Sequence, residues 1–240
     1  MVIYNIDRYI HKSSKQQAQD QLFTEKPIVS IIVPGKNEGR HFYKLTRTLT
    51  EQTYSNYELI VVDDGSDDNS ALIGRDLERR GYIDKFFRNE IRGGKASGAN
   101  LALRYARGKF IVHLDADTSL NNDALEKILT PFYYDYRVGG VGGNVKVRNR
   151  QESLATALQS IEYLKTITIG RVVTSYLGIY RIISGAYGAF RREALDRVEG
   201  YDIGPGLDGD ITVKIRKIGY RIWFEPTAVG QTHAPTTFYK

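Results

Sequence analysis

Four aspartates in two short acidic runs carry the chemistry that this sequence can do. VVDDGS at 61–66 and HLDADT at 113–118 each follow directly on a short apolar run. Leu59–Val62 and Phe110–Val112 are continuous, largely β-branched and too short for helices, so they read as buried parallel strands. Acids at the carboxyl ends of such strands fall in the crevice where open α/β sheets bind ligands. Asp63, Asp64, Asp115 and Asp117 are therefore expected to converge at one edge of a sheet. Crowded carboxylates repel one another unless a divalent cation or the hydrogen-bond donors of a ligand sit among them. The simplest chemistry for such an edge is a metal-assisted nucleotide site.

Asp115 and Asp117 are two residues apart just past a strand. In extended backbone such residues point the same way, so both can face one cation. A lone pair of this kind is weak evidence, because aspartate also occupies turns and caps readily. A second acidic pair ending a second strand makes it strong. Asp63-Asp64-Gly65-Ser66 could accept from a nucleobase imide or from ribose hydroxyls. Gly93-Gly94-Lys95 lets backbone approach a phosphate and adds a point charge, without the spacing of a Walker loop. Taken alone, a lysine such as Lys95 is more often a plain surface residue than a ligand. Asp208 ends a glycine-rich loop and could be a general base, while Asp210 could be a first-turn acid favoured by the helix dipole. Spacing does not separate those two roles. His233 could be a base or a ligand, but a lone histidine in a terminal segment is more often neither.

The elements that must position these residues follow from periodicity. Residues 1–24 read as a polar helix with apolar Ile3, Ile6, Ile10 and Leu22, ended by Pro27. Val29–Pro34 is the first strand, with a helix from Gly39 to about Gln52. The LIVVDD strand is followed by a helix that Asp68 or Asn69 can cap. Phe86–Arg88 suggests a third strand, and GGKASGANLALRYA a glycine turn opening onto a helix. After KFIVHLDAD, Asn121 or Asn122 can cap ALEKIL. This alternation argues for a parallel, doubly wound sheet. VGGVGGNVKVRNR reads as a strand pair or one long bent strand whose glycines let backbone come close to a ligand. Residues 151–170 are helical, with Leu154, Leu158, Ile161 and Leu164 at helical spacing, a stripe expected in the core. GAYGAFRREAL is a strand-to-helix transition, and DITVKIRKIGYRIWFEP a helix, a turn and a strand.

Bulk properties bound the rest. At 240 residues, 41% hydrophobic and 26% charged, the chain is an ordinary globular one, long enough for one domain with a sizeable core or two small ones, and with no clear linker one domain is the economical reading. It has no cysteine, which rules out disulfides, thiolate catalysis and cysteine-bound zinc, and its four histidines are scattered. The net charge of +6 comes from 34 basic and 28 acidic residues, with no like-charged block shaped for nucleic acid, so no nucleic-acid partner is expected. The first fifteen residues lack the apolar core of a signal peptide. The most apolar stretch, ITIGRVVTSYLGIYRIIS, is broken by Arg171 and Arg181, so the chain as given reads as soluble.

Six segments, VSIIVPGKNEG, VVDDGS, GGKASGAN, HLDADT, SGAYGAFRREAL and LDGDITVKIRKIGYRIWFEP, together resemble the family 2 glycosyltransferases with the GT-A fold. The likeness runs from about Val29 to the C-terminus and is closest to the membrane-embedded β-glycan synthases, such as those for poly-N-acetylglucosamine, cellulose, chitin and hyaluronan. It implies an α/β fold, the GT-A Rossmann-like three-layer sandwich with a mostly parallel sheet and helices on both faces. Residues 1–27 would be an N-terminal helical extension and 28–240 the catalytic domain.

The resemblance also implies roles. Pro34, Lys36, Asn37 and Glu38 would line the nucleotide, Asp64 would meet the uracil with Asp63 beside it, and Lys95 the uracil or diphosphate. Asp115 and Asp117 would hold Mg2+ or Mn2+, Asp117 most directly. Ser184 and Gly185 match the acceptor side, and Asp208 the catalytic base. The implied activity is inverting transfer from a UDP-sugar, UDP-N-acetylglucosamine or UDP-glucose, to a glycan or lipid-linked acceptor in polysaccharide synthesis. The implied location is cytoplasmic, at the cytosolic face of the cell membrane through segments absent from this chain.

Two departures stand out. The family usually reads Thr-Glu-Asp at the base, where this chain has Gly206-Leu207-Asp208. The synthases also continue into a Gln-x-x-Arg-Trp motif, and this sequence ends at TTFYK. Both motivate a rival reading, a UDP-sugar-binding module without turnover. A sugar-nucleotide pyrophosphorylase ranks lower, because PGKNEG supplies only Lys36 where such enzymes need a basic glycine-rich loop.

Overall fold

Neighbouring residues on the same strand face opposite cores, which is why the strand sequences are apolar without interruption. A computed structural model of the chain describes residues 12–177, 182–202 and 206–237. In β1 (Val29–Gly35), Ile31 and Val33 enter one core and Ile32 the other. β2 (Tyr57–Asp63) repeats the pattern with Leu59 and Val61 against Ile60 and Val62. β4 (Phe110–Leu114) does so with Phe110, Val112 and Leu114 against Ile111. With β3 (Lys85–Arg88) these strands form a parallel array in the order β3-β2-β1-β4.

The second half closes the sheet differently. β5 (Ser119–Leu120), β6 (Val138–Val147), β7 (Tyr187–Arg191) and β8 (Arg221–Thr232) extend the order as β4-β7-β6-β8-β5. β7 runs antiparallel to both β4 and β6, β8 lies parallel to β6, and β5 is antiparallel to β8. The single eight-stranded sheet is thus mostly parallel, with antiparallel strands joining its two halves. The two-residue β5 and the last half of β8 carry no sequence signal of their own.

Helices cover both faces, as expected for a three-layer α/β sandwich. On the first face lie α2 (Gly39–Thr50), α3 (Ser70–Arg79) and α5 (Ala124–Leu129), contributing Leu45, Leu49, Leu77, Leu125 and Ile128. α1 (Lys12–Glu25) docks there too, with Leu22 fully buried and Tyr133 donating to Glu25 Oε2 at 3.0 Å. Ile3, Ile6 and Ile10 lie outside the described residues. On the second face are α4 (Lys95–Tyr105), α9 (Arg192–Arg197) and α10 (Leu207–Lys217), contributing Ala99, Ala102, Leu195, Ile211 and Ile215. Between α5 and β6 lies the single turn α6 (Pro131–Tyr134).

Three expectations are corrected. Neither Asn121 nor Asn122 caps α5: Asp123 stands at the cap position without a side-chain bond, and Asn121 contributes its carbonyl, 2.9 Å from the Ala124 amide. The glycines of β6 make room for protein side chains rather than for a ligand. A Cβ on Gly143 would lie 2.1 Å from the Tyr187 ring, one on Gly139 2.6 Å from Tyr220 and one on Gly140 2.5 Å from Ile183.

The third correction concerns the apolar stripe. Residues 154–176 form α7 (Leu154–Tyr163), a π-helical turn (Leu164–Ile169) and α8 (Gly170–Tyr176), opened by a Ser153–Thr156 capping box. Leu154, Leu158, Ile161 and Leu164 are 71%, 48%, 61% and 53% exposed, so the stripe faces outward. The helix rests instead on Ala155 and Thr156, both buried. Helical spacing fixes which residues share a face but not which face meets the sheet.

Candidate active site

Parallel pairing brings the acids together. Gly35 lies opposite Asp63 in the β1–β2 ladder and Ile32 opposite His113 in the β1–β4 ladder, so the three C-terminal ends share an edge. A cavity of ≈ 250 Å³ opens there, lined by Pro34, Gly35, Lys36, Glu38, Asp64, Arg92, Gly94, Lys95, Asp115, Ala116 and Asp117. Most of the residues singled out in the sequence meet in it. Asn37, Asp63, Ser184, Gly185 and Asp208 do not line it. Asn37, held at φ 60°, turns its side-chain oxygen to the Asp67 amide at 2.9 Å. Asp63 is buried behind the wall, where its Oδ1 accepts from the Ser66 amide at 3.1 Å and from the Ser66 hydroxyl.

Asp64 organises the glycine loop. Its Oδ1 accepts from the Gly93 amide at 2.9 Å and from Asn89 Nδ2 at 3.0 Å, and its Oδ2 from the Gly94 amide at 2.7 Å. Burial pushes this carboxyl up, but the bonds from Asn89, Gly93 and Gly94 and the nearby Arg92 charge outweigh it and hold it below the usual carboxylate range. A carboxylate has about four lone-pair sites. Three are taken, which leaves one for a ligand donor. Gly94 sits at φ 84°, a left-handed value that favours glycine, and from it α4 starts.

The Asp115–Asp117 pair faces the same space. Lys95 Nζ is in direct contact with Asp115 Oδ1. Burial raises the Asp115 carboxyl; Lys95 opposes the rise, while the charges of Asp117 and Asp208 add to it. Asp117 is fixed by the Thr232 hydroxyl, which donates to its Oδ2 at 2.9 Å. Glu38 is pushed up to about 7, first by burial and then by the charges of Asp117 and Asp115. Beneath them His113 is fully buried, with Nδ1 3.1 Å from the Tyr201 hydroxyl. Its pKa is driven well down, by burial first and then by Lys95, so it is a neutral core histidine.

Among the described residues no three His, Asp or Glu side chains are gathered tightly enough to cage a metal ion. The fit to a hard divalent cation is nevertheless good. Mg2+ typically takes one or two carboxylates and completes its shell with water and substrate phosphate oxygens. Asp115 and Asp117 line one cavity together, and with Lys95 drawn off Asp115 Oδ1 they are a donor set of that kind.

A second cavity of ≈ 270 Å³ shares Asp115 and Asp117 with the first and is otherwise lined by Val145, Gln159, Tyr163, Ile167, Ser184, Ala186, Thr232, His233, Ala234 and Pro235. Its walls carry aromatic, aliphatic and neutral polar groups beside the two acids. Asp208 stands in the first turn of α10, where its Oδ2 accepts from the Gly185 amide at 2.7 Å. Leu207, in place of the acid usual in the family, packs against the second core. His233 lines the second cavity and lies 3.6 Å from Glu152.

Several lining residues escaped the sequence reading. Arg92 is adjacent to Gly93-Gly94 and was within reach, as a cation beside a phosphate-friendly turn. Gln159, Tyr163 and Thr232 come from far along the chain and carry no local signal.

Residues 30–199 match the glycosyl transferase family 2 profile, and the chain belongs to that family. It is 30% identical over 211 residues to the poly-beta-1,6-N-acetyl-D-glucosamine synthase of Staphylococcus epidermidis, covering 87% of this chain and 50% of the relative. It is 33% identical over 212 residues to the synthase of that name from Staphylococcus aureus strain COL, with the same 87% and 50% coverage. The chain thus spans about half the length of the curated relatives it matches. Among solved structures, it is similar to a mannosyltransferase from Pyrobaculum calidifontis in complex with GDP-Man and Mn2+, with a TM-score of 0.72 and 26% identity. That superposition covers 96% of this chain and 69% of the mannosyltransferase. GalNAc-T7 with UDP, GalNAc and Mn2+ shares the fold, with a TM-score of 0.67, 18% identity, and coverage of 89% and 45%. The fold is therefore GT-A. Among the described residues no helix is long and apolar enough to cross a membrane.

Proposed function

We propose that this chain carries the catalytic site of an inverting, metal-dependent glycosyltransferase of polysaccharide synthesis, with UDP-N-acetylglucosamine the first candidate donor and UDP-glucose the second. The observation that carries this reading is the pair of cavities meeting at Asp115 and Asp117. The cavity with Asp64, Arg92 and Lys95 suits a nucleoside diphosphate. Asp64 has an acceptor position left for an imide N–H, and the two cations answer phosphate charge. The cavity with Tyr163, Gln159 and Ser184 suits a neutral sugar acceptor, either glycan or lipid-linked.

Asp208 takes the proton of the attacking acceptor hydroxyl as its oxygen bonds to the anomeric carbon. The bond from that carbon to the diphosphate breaks on the opposite face, UDP departs with the electron pair, and the configuration inverts. Asp115 and Asp117 would hold Mg2+ or Mn2+, which when bound neutralises charge developing on the departing diphosphate. The synthase names of the relatives and the Mn2+ in the mannosyltransferase structure support the reading. We assign the domain to the cytosolic face of the cell membrane, as the resemblance to membrane synthases implies.

The test is a screen of UDP-sugars with Mn2+ and Mg2+, reading released UDP and transferred sugar. Metal-dependent turnover of one donor supports the proposal. Metal-dependent UDP binding with neither transfer nor hydrolysis would assign the chain instead to a donor-binding module.

A further inference from the structure

We infer that Thr212 is a positioning residue for the reaction: its hydroxyl locks the segment Ile183–Gly185 to the first turn of α10, so that the Gly185 amide aims the Asp208 carboxylate. The inference rests on the reading of Asp208 as the base and extends it to Thr212, which lines neither cavity.

Thr212 is fully buried, and its hydroxyl is used in both directions. It donates to the Asp208 carbonyl at 2.7 Å and accepts from the Ile183 amide at 3.1 Å. The first bond is a common habit of threonine in helices, pointing back one turn. The second is not local, because Ile183 belongs to the segment that leads into β7. Two residues further on, the Gly185 amide donates to Asp208 Oδ2 at 2.7 Å. One strand-side segment therefore grips the same residue at its backbone, through Thr212, and at its carboxylate, through Gly185.

The fit at the carboxylate leaves no slack. A Cβ on Gly185 would lie 2.2 Å from Asp208 Oδ1 and 2.9 Å from its Cγ. Ile183 is held from the other side by the second core, together with Ile211 and Ile215 of α10. Ser184, between the two gripping amides, lines the second cavity. The base and the acceptor wall thus form one mechanical unit, and Thr212 is the pin. A misplacement of about 1 Å at a catalytic group can cost on the order of 10²-fold in rate.

The experiment compares Thr212→Val, which keeps the shape and removes the hydroxyl, with Thr212→Ser, which keeps the hydroxyl and removes a buried methyl. For the full chain with Mn2+ and the donor found active, the readouts are kcat, donor KM, Tm and amide hydrogen exchange. Thr212→Val is expected to lower kcat on the order of 10²-fold with donor KM within about twofold, the signature of a contact that matters in the transition state. Thr212→Ser is expected to keep kcat within about threefold of wild type although it loses buried packing. A merely structural threonine predicts instead a lowered Tm in Thr212→Val, from the Ile183 amide left without a partner, with kcat of the folded protein unchanged below that Tm. Wild-type kcat in Thr212→Val, or an equal loss in Thr212→Ser, overturns the inference.

Should Thr212→Val fail to fold, Gly185→Ala tests the carboxylate end of the lock, where its Cβ would displace Asp208, with wild-type kcat the overturning result. Amide exchange reads the lock without turnover: Ile183 is expected to exchange at least about tenfold faster in Thr212→Val, and unchanged protection overturns the lock itself. If the wild-type chain releases no UDP from any donor, the reading of Asp208 fails, and the positioning role falls with it even where the exchange data uphold the contact.

Discussion

Thr232 donates its hydroxyl to Oδ2 of Asp117 at 2.9 Å, tying the last residue of β8 to the second acid of the Asp115–Asp117 pair. A threonine over a hundred residues away thus sets the direction of the carboxylate expected to meet the cation. Outer-shell partners of this kind typically cost about 10–100-fold in metal affinity when removed. Thr232→Val is expected to weaken Mn2+ binding in the presence of UDP by about tenfold, within that range, with little change in fold. Calorimetric titration of Mn2+ into the UDP-loaded protein checks it; wild-type affinity would refute the role.

Asp208→Asn keeps the shape of the side chain and its contact with Gly185 while removing the basic oxygen. UDP affinity is expected to persist, and transfer to fall about 10²–10⁴-fold, the usual worth of a general base. Transfer at the wild-type rate would show that another group takes the proton.

Asp64→Ala removes the acceptor of the Gly93 and Gly94 amides and of Asn89. Bonds to a charged group are worth about 1.5–3 kcal/mol each when made. Because the freed donors border an open cavity and can turn to water, the net loss of stability is expected to be about 2 kcal/mol rather than the sum of the three bonds, together with weaker UDP binding as the loop loses its shape. Urea unfolding and calorimetry read the two effects separately.

Glu38 supplies a pH dependence. Its carboxyl, with an ordinary value of 4.5, is pushed up to about 7, so the folded protein holds a proton there that the unfolded chain has released. Stability from this group is present below about pH 4.5 and is lost as the pH rises through about 7. In the absence of divalent metal, Tm is expected to fall over that window in wild type and to stay flatter in Glu38→Gln. Added Mn2+ with UDP should flatten the wild-type profile too, by supplying positive charge beside Asp115 and Asp117. A wild-type profile already flat without metal would remove Glu38 as the source.

The outward stripe on α7 gives a contrast in stability. Leu158, 48% exposed, should tolerate alanine at a cost within about 0.5 kcal/mol. Leu45, 1% exposed in the first core, should cost about 2–5 kcal/mol on the same change. Urea denaturation of both variants decides whether the stripe is surface or core.

The parallel half of the sheet and the acidic edge were legible from residues alone. Runs such as LIVV are buried on both faces only in such a sheet, and an acid placed one step past a parallel strand has nowhere to go but the common edge. Local spacing likewise placed Asp115 and Asp117 on one cavity and Gly93-Gly94 at the opening of a helix. The tertiary structure decided what depends on distant partners: that Asp63 turns inward to Ser66, that Thr232 fixes Asp117, and that Gly185 holds Asp208. It also decided that the leucine stripe of α7 points away from the sheet, and that the β6 glycines admit Tyr187 and Tyr220. The physical reason is common to these cases. Periodicity and turn chemistry act within a few residues, whereas the facing of a helix and the partner of a buried polar atom are chosen by whichever distant surface packs against them.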